Sequence, residues 1–582
     1  MATMRQAALW ALRCAVTTGA IVSTMTTGYA ADDSTASSQQ VQELRQQLAD
    51  QQKQIEELRM LLVGQQKKIE SVSNPAPTAV PVEAPVPVAA APQKSVGEVA
   101  SLTPILPTLP AAPRPVAVPL PPAPQAAKAD PTANPCEATP EGQTPAFIRL
   151  GSTCLIPVGF MDLTTVWRDK NAGSSMGSNF GSIPYNNTVN GNLSEFRFTP
   201  QNSRIGFRFD GDWKGTHFIG YNEFDFNGTS GSNGIGVSNG AFVPRLRLFW
   251  VDVRKGKSEF LVGQSWSMLT PNRTGLSALP GNLFYTQVVD INYVAGLTWT
   301  RQPGMRFIYH PNKTVAWGFS VENPDQYAGG SAGGSGITLP TAYASLANAQ
   351  LDVAQNVSAG QNILNQPTVT PDFITKLAFD PNSRVHVEVG GVERNFKTVN
   401  PALLSQHFTA HGGAAIFGAN VEVVKNFRLI STNYWGDGGG RYLFGQAPDL
   451  VVRANGNLSL IHSGGTIDGF EYRANPKWLF YGYYSGIYIG RNTALDANGT
   501  TKIGYGYTGS PNSQNRAINE ISVGFNQTWW SSPRYGAINM MTQYEWLARN
   551  PWYVAPGAPK GTHDSTVYVN LRYTLPGGMP NF

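Results

Sequence analysis

Residues 567 to 575 read VYVNLRYTL, and in an extended chain, where successive side chains leave on opposite faces, this stretch splits cleanly in two. Val567, Val569, Leu571 and Tyr573 fall on one face, and Tyr568, Asn570 and Arg572 on the other. The same alternation returns in SRIGFRF, where Ile205, Phe207 and Phe209 oppose Arg204 and Arg208. In PRLRLFW, Leu246, Leu248 and Trp250 are expected to oppose Arg245 and Arg247; in FEYR, Phe470 and Tyr472 oppose Glu471 and Arg473. One face of each segment is apolar and the other carries charge, which is the pattern of a strand separating two unlike media.

Sixteen such segments are expected, centred on 160–168, 196–210, 216–226, 244–253, 258–266, 300–310, 314–321, 372–380, 384–393, 408–424, 427–435, 466–473, 478–489, 517–529, 535–545 and 565–573. Their connections alternate. Seven are brief turns, such as Asp212 to Gly215, Lys425 to Asn426 and Asn475 to Lys477. The others are long loops rich in Gly, Asn and Ser, such as YAGGSAGGSGITLP and YWGDGGGRYLFGQ. Short turns at one end and long loops at the other are the asymmetry of an outer-membrane barrel. The fold class expected is therefore all-β, a 16-stranded antiparallel transmembrane β-barrel over residues 146–582. A closed sheet satisfies its backbone internally in hydrocarbon, and sixteen strands are wide enough to enclose an aqueous channel.

Composition agrees. The chain has 582 residues with 27 Phe, 13 Trp and 22 Tyr, all but Trp10 and Tyr29 lying at or beyond Phe147. The first quarter cannot build a globular core. Charged residues are only 14% of the chain, against roughly 25% for soluble domains. After the N-terminus no apolar run approaches the ~20 residues that a spanning helix needs. The net charge of +5 contains no dense basic run, so nucleic acid is not expected as a partner.

Three segments precede the barrel. Residues 1–31 read as a secretory signal peptide, with Arg5 and Arg13 ahead of an apolar stretch with small residues that ends in Ala30 and Ala31. Residues 38–73 carry a strict heptad, with core positions Val41, Leu44, Leu48, Gln51, Ile55, Leu58, Leu62, Gln65, Ile69 and Val72. That stripe must bury itself against copies of itself as a short α-helical coiled coil, of two or three strands. Residues 74–145 form a Pro/Ala-rich linker, with 19 prolines between 75 and 145, extended and semi-rigid. Cys136 and Cys154 would meet an oxidising compartment, where a local disulfide between them is expected.

The inward set is rich in arginine. Arg197, Arg204, Arg208, Arg245, Arg247, Arg306 and Arg473 are expected to line the pore, a ladder of guanidinium groups suited to small anions. The competing expectation is that several pair with Glu195, Asp210 and Glu388 and stiffen the wall. The third long loop, about 267–299, carries Arg273 and either folds inward to narrow the pore or forms an outward lid. No metal or cofactor is expected. An enzyme would need grouped Ser, His and acid, but the one adjacent pair, His462 and Ser463, would point to opposite faces of a strand.

With FTPQNSRIGFRFDG (198–211), FLVGQSWSML (260–269) and the Gln-bearing heptads, the mature chain resembles the DcaP-like family of trimeric outer-membrane porins, which carry a coiled coil, a proline-containing spacer and a sixteen-stranded barrel. The resemblance implies a homotrimer in the outer membrane of a Gram-negative bacterium, its coils in the periplasm. It also implies passive diffusion of small hydrophilic solutes that favours anionic organic acids such as dicarboxylates. Expected partners are copies of the chain, outer-membrane lipid and lipopolysaccharide, small anionic solutes, and peptidoglycan or periplasmic proteins at the coil. The alternative function is structural: an outer-membrane protein tethering the envelope through that coil.

Overall fold

A computed structural model describes residues 146–172, 176–228, 242–283, 286–329, 336–347, 349–352 and 370–576. The signal peptide, the coiled-coil positions and the linker lie outside the described residues.

Sixteen strands close into one antiparallel sheet. They are β1 Thr153–Arg168, β2 Arg204–Trp213, β3 Thr216–Gly228, β4 Val243–Lys255, β5 Ser258–Trp266, β6 Arg301–Tyr309, β7 Val315–Glu322 and β8 Asp372–Asn382. The second half is β9 Val385–Asn400, β10 Leu403–Val424, β11 Phe427–Asp437, β12 His462–Asn475, β13 Trp478–Ile489, β14 Asn515–Ser532, β15 Gly536–Pro551 and β16 Thr562–Thr574. Each strand pairs with the next, and β16 closes on β1 from Phe160↔Thr574 to Arg168↔Thr566. A short segment, Glu195–Thr199, continues β2 along the loop end of β1, so the single expected strand 196–210 is broken around Pro200. The seven brief turns all lie at one end.

The faces sort as the alternation dictates. Val569, Leu571, Ile205, Phe207, Phe470 and Tyr472 are exposed on the outside, while Tyr568, Asn570 and Glu471 are buried within. An exposed apolar wall around a buried polar lining inverts a soluble protein and suits a lipid exterior. Val569→Arg, placing a cation on that wall, should cost roughly 2–4 kcal/mol of stability in lipid, read as a lowered urea midpoint for the heat-modifiable band; an unchanged midpoint would contradict the outward assignment.

One strand departs from expectation. Along β3 and β4 the register slips, with Glu223 opposite Leu248 but Phe224 opposite Leu246. Arg247 is the extra residue of a bulge, which reverses the parity beyond it. Leu248 and Trp250, expected outside with Leu246, are therefore buried inside, and Phe249 faces outward.

One loop expectation also fails. The connection between β9 and β10 is not a long loop: the strands run on for 16 and 22 residues and join through residues 401–402, well past the ~9–11 a membrane needs. The Gly-rich loops pack against one another. Phe180, Met268, Leu269, Leu346, Tyr442, Leu443, Val451 and Tyr505 from five different loops form one buried cluster inside the long-loop end of the barrel. Asp449, held there by Arg394 at 2.8 Å, has its carboxyl pushed up to about 6 by burial, against the pull of Arg394.

Candidate functional site: a loop-constricted, arginine-lined lumen

The segment between β5 and β6, residues 267–300, folds inward and crosses the lumen. Its backbone carries the donors that a segment without secondary structure must satisfy when buried, and the wall supplies the acceptors strand after strand. Met268 N–H donates to Glu322 on β7 at 2.8 Å, Gly275 N–H to Asp380 on β8 at 3.0 Å and Asn272 N–H to Glu388 on β9 at 3.2 Å. Asn420 on β10 donates to the Arg273 carbonyl at 3.2 Å. Arg273 itself forks onto Glu471 of β12 at 2.6 and 3.0 Å. Gln287 N–H donates to the Tyr483 hydroxyl on β13 at 3.0 Å, Ala295 N–H to Glu520 on β14 at 2.7 Å and Val289 N–H to Gln543 on β15 at 2.8 Å. The Tyr568 hydroxyl on β16 donates to Asp290 at 2.9 Å.

Contact is tightest at Gly296, whose φ is +88°. A Cβ there would fall 2.4 Å from the Gly486 carbonyl oxygen and 2.8 Å from that of Thr466. Gly296→Val therefore cannot keep this seating and should lift the segment from β12 and β13. The expected readout is a change in single-channel conductance with the barrel still heat-modifiable; identical conductance would show that the seating does not set the passage.

On either side of the segment lies open space. Toward the short turns is a cavity of about 370 Å3 lined by Arg204, Arg208, Arg273, Arg473 and Arg572, with Glu223 and Asp290 as its acidic members. Toward the loops is a second, of about 220 Å3, lined by Arg245, Arg247 and Arg301 with no carboxylate among the described residues. Ile291 lines both.

The arginines expected at the pore meet different fates. Arg208 forks onto Asp210 at 2.6 and 2.7 Å. Arg245 and Arg247 share Asp225, both at 2.6 Å, and Arg247 also reaches Glu223 at 2.8 Å. Arg204 lies 3.5 Å from Glu223 and over the Phe160 ring. Arg473 lines the larger cavity. Arg306 faces inward but is buried, donating to the backbone carbonyl of Trp266 at 2.7 Å; it holds the inward segment rather than meeting open space. Arg197 is exposed on the segment beside β1. Of the wall acids, Asp210 pairs as expected with an arginine of the ladder, whereas Glu195 takes Arg168 and Glu388 takes Lys376 at 2.8 Å. The pairs are asymmetric in access. Arg245 keeps 35% of its side chain exposed while Asp225 keeps none, and Arg204, Arg208 and Arg572 are likewise more open than their carboxylates.

Sequence reasoning placed Arg572 on the polar face of its strand without naming it at the pore, and passed over Arg301, Arg168 and the anchoring acceptors Glu322, Glu520 and Gln543. Their signal was a charged or amide side chain at the inward position of its strand, as Glu520 in INEISV, where Ser522 shares the inward face and donates to it. Cys154 is disulfide-bonded; Cys136, its expected partner, lies outside the described residues. His462 and Ser463 open β12, with His462 exposed against Asp437 and Ser463 buried on the other face. Among the described residues no group of His, Cys, Asp and Glu is arranged to hold a metal.

No protein-family model matches the sequence, and no curated protein matches it. Solved structures do. The outer membrane channel DcaP of Acinetobacter baumannii aligns over 74% of this chain and 99% of its own, at 15% identity and a TM-score of 0.53. An anion-selective porin from Comamonas acidovorans aligns over 72% and 99% at 12% identity, TM-score 0.40. OmpF of Salmonella typhi aligns over 73% and 100% at 9%, TM-score 0.37. The likeness to the first shows the fold and nothing more. The chain thus has the fold of the DcaP outer-membrane channel, the family that its sequence resembles.

Proposed function

We propose that the chain is an outer-membrane porin, a water-filled passage through which small hydrophilic solutes diffuse past the inward segment, with a preference for anionic organic acids such as dicarboxylates. The observation that carries the reading is the unequal access of the lumen charges: guanidinium groups outnumber carboxylates in the lining of both cavities, and Arg204, Arg208, Arg245 and Arg572 are each more open than the carboxylate that holds them. A solute threading the constriction meets cations first, and in a narrow passage with low-dielectric walls such a surplus raises the local concentration of anions. The arginines are also pre-formed forks for carboxylate oxygens. The working form is a homotrimer in the outer membrane, a reading supported by the heptads of 38–73 and the family resemblance, with the coil in the periplasm.

Liposome swelling tests this. Vesicles carrying the purified chain should swell faster in succinate than in a neutral or cationic solute of equal size. Equal rates for all three would leave a pore without the preference, and no swelling would remove the pore.

A further inference from the structure

One stretch of the outer wall is unsuited to lipid. Asp468 on β12 is exposed on the outward side of its strand, which it shares with Phe470 and Tyr472. It sits between two aromatic belts: Phe427 and Phe470 stack at 5.7 Å toward the short turns, and Trp435 and Tyr488 at 6.0 Å toward the loops. Such belts mark the two membrane interfaces of a barrel, so the carboxylate lies at hydrocarbon depth. Its neighbours are polar as well. Ser431 on β11 donates to Asp468 at 2.7 Å, Thr466 donates to it at 3.0 Å, and Asn433 donates to the Ser431 hydroxyl at 3.2 Å. On the other side Tyr484 of β13, opposite Asp468, donates to Asn519 of β14 at 3.1 Å. Ser431 and Thr466 bring no positive charge, and they fill about half of the roughly four acceptor sites of a carboxylate. Across the barrel the wall is different: β4 to β7 present Leu246, Phe249, Val262, Met305, Phe307 and Phe319 to the outside.

We infer that the outer face of β11 to β14 is a contact surface between copies of this chain, and that a donor on the neighbouring copy completes the hydrogen bonding of Asp468. A carboxylate at this depth is costly against lipid and is ordinarily paired. A second copy is the occupant because the chain carries its own means of gathering copies, the heptads of 38–73. The surface is also low enough for a second wall to approach, since Ala419 lies opposite Ser431 and Gly486 opposite Thr466. The inference rests on the homotrimer reading and deepens it by naming the face. In a closed ring of three the two sides of a contact differ, so Asp468 meets another part of the neighbour's wall and not its own counterpart.

Photocrosslinking of the full, purified chain in lipid vesicles tests the face. The photoreactive p-benzoylphenylalanine in place of Tyr484, one aromatic exchanged for another within the patch, should give adducts of two chains. In place of Phe249 on β4 it should give lipid adducts. Asp468→Leu, a change that suits lipid, should lower the two-chain yield at Tyr484 severalfold. Trp435, beside the patch, takes the probe instead if the exchange at Tyr484 fails to give a heat-modifiable band. Lipid adducts alone in the patch, a two-chain yield no greater than at Phe249, or a yield unmoved by Asp468→Leu would each overturn the inference. The mass of the same preparation in detergent before irradiation separates the face from the trimer. Three copies with lipid adducts alone in the patch overturn the face and leave the trimer, whereas a single copy overturns the trimer and the face with it.

Discussion

Replacing Arg245 and Arg247 together with Ala should shift the reversal potential in a salt gradient strongly toward cations, and by more than replacing any other pair of lumen arginines. The two guanidinium groups neutralise Asp225 and Glu223 through contacts of 2.6 to 2.8 Å. Removing them does not merely subtract two positive charges; it strips Asp225 of both its guanidinium partners and leaves Glu223 with only Arg204, 3.5 Å away. Loss of one partner from a buried pair typically costs about 3–5 kcal/mol, so the variant should also unfold at lower denaturant. Adding Asp225→Asn should recover part of the stability and return selectivity toward neutral. A reversal potential unchanged in a folded Arg245→Ala, Arg247→Ala variant would remove these residues from the ion path.

Replacing residues 277–293 with a short Gly-Ser bridge should raise single-channel conductance severalfold. This stretch separates the two cavities and contributes Leu279 to Leu283 and Val288 to Ile291 to the lining of the larger one. The strand ladder contains none of it, so the barrel should remain closed and heat-modifiable. Its wall partners Tyr483, Gln543 and Tyr568 would turn to water instead of to Gln287, Val289 and Asp290, which satisfies them at little cost. Conductance equal to that of the parent, from a folded barrel, would show that the narrow point lies elsewhere.

Much of this architecture is legible in the sequence because a barrel wall is a repeating boundary between two media. Where alternation is unbroken, as from Val567 to Tyr573, each residue's face follows from its parity. Parity fails at bulges, and a bulge has no mark of its own: nothing in PRLRLFW says that Arg247 is the extra residue, so Leu248 and Trp250 were assigned to the wrong side. Loop composition also misleads. Tyr442, Leu443 and Val451 have neither helical nor strand spacing, because their partners lie in other loops far away in sequence. Of the arginines expected at the pore, Arg204, Arg208, Arg245, Arg247, Arg273 and Arg473 line the two cavities while Arg197 and Arg306 do not, and the charge balance was not legible at all, since Asp225, Glu223 and Glu471 become partners only through register and the inward path of 267–300. Arg301 was obscured by Pro303, which interrupts the alternation of its strand.

The central claim, an anion-preferring pore narrowed by the 267–300 segment, is met most directly by recording the purified chain in a planar bilayer across a salt gradient. The account predicts resolved conductance steps, grouped in threes for a trimer, with a reversal potential of the sign that marks anion preference. A folded, heat-modifiable barrel that inserts and passes no current, or passes cations preferentially, would contradict it.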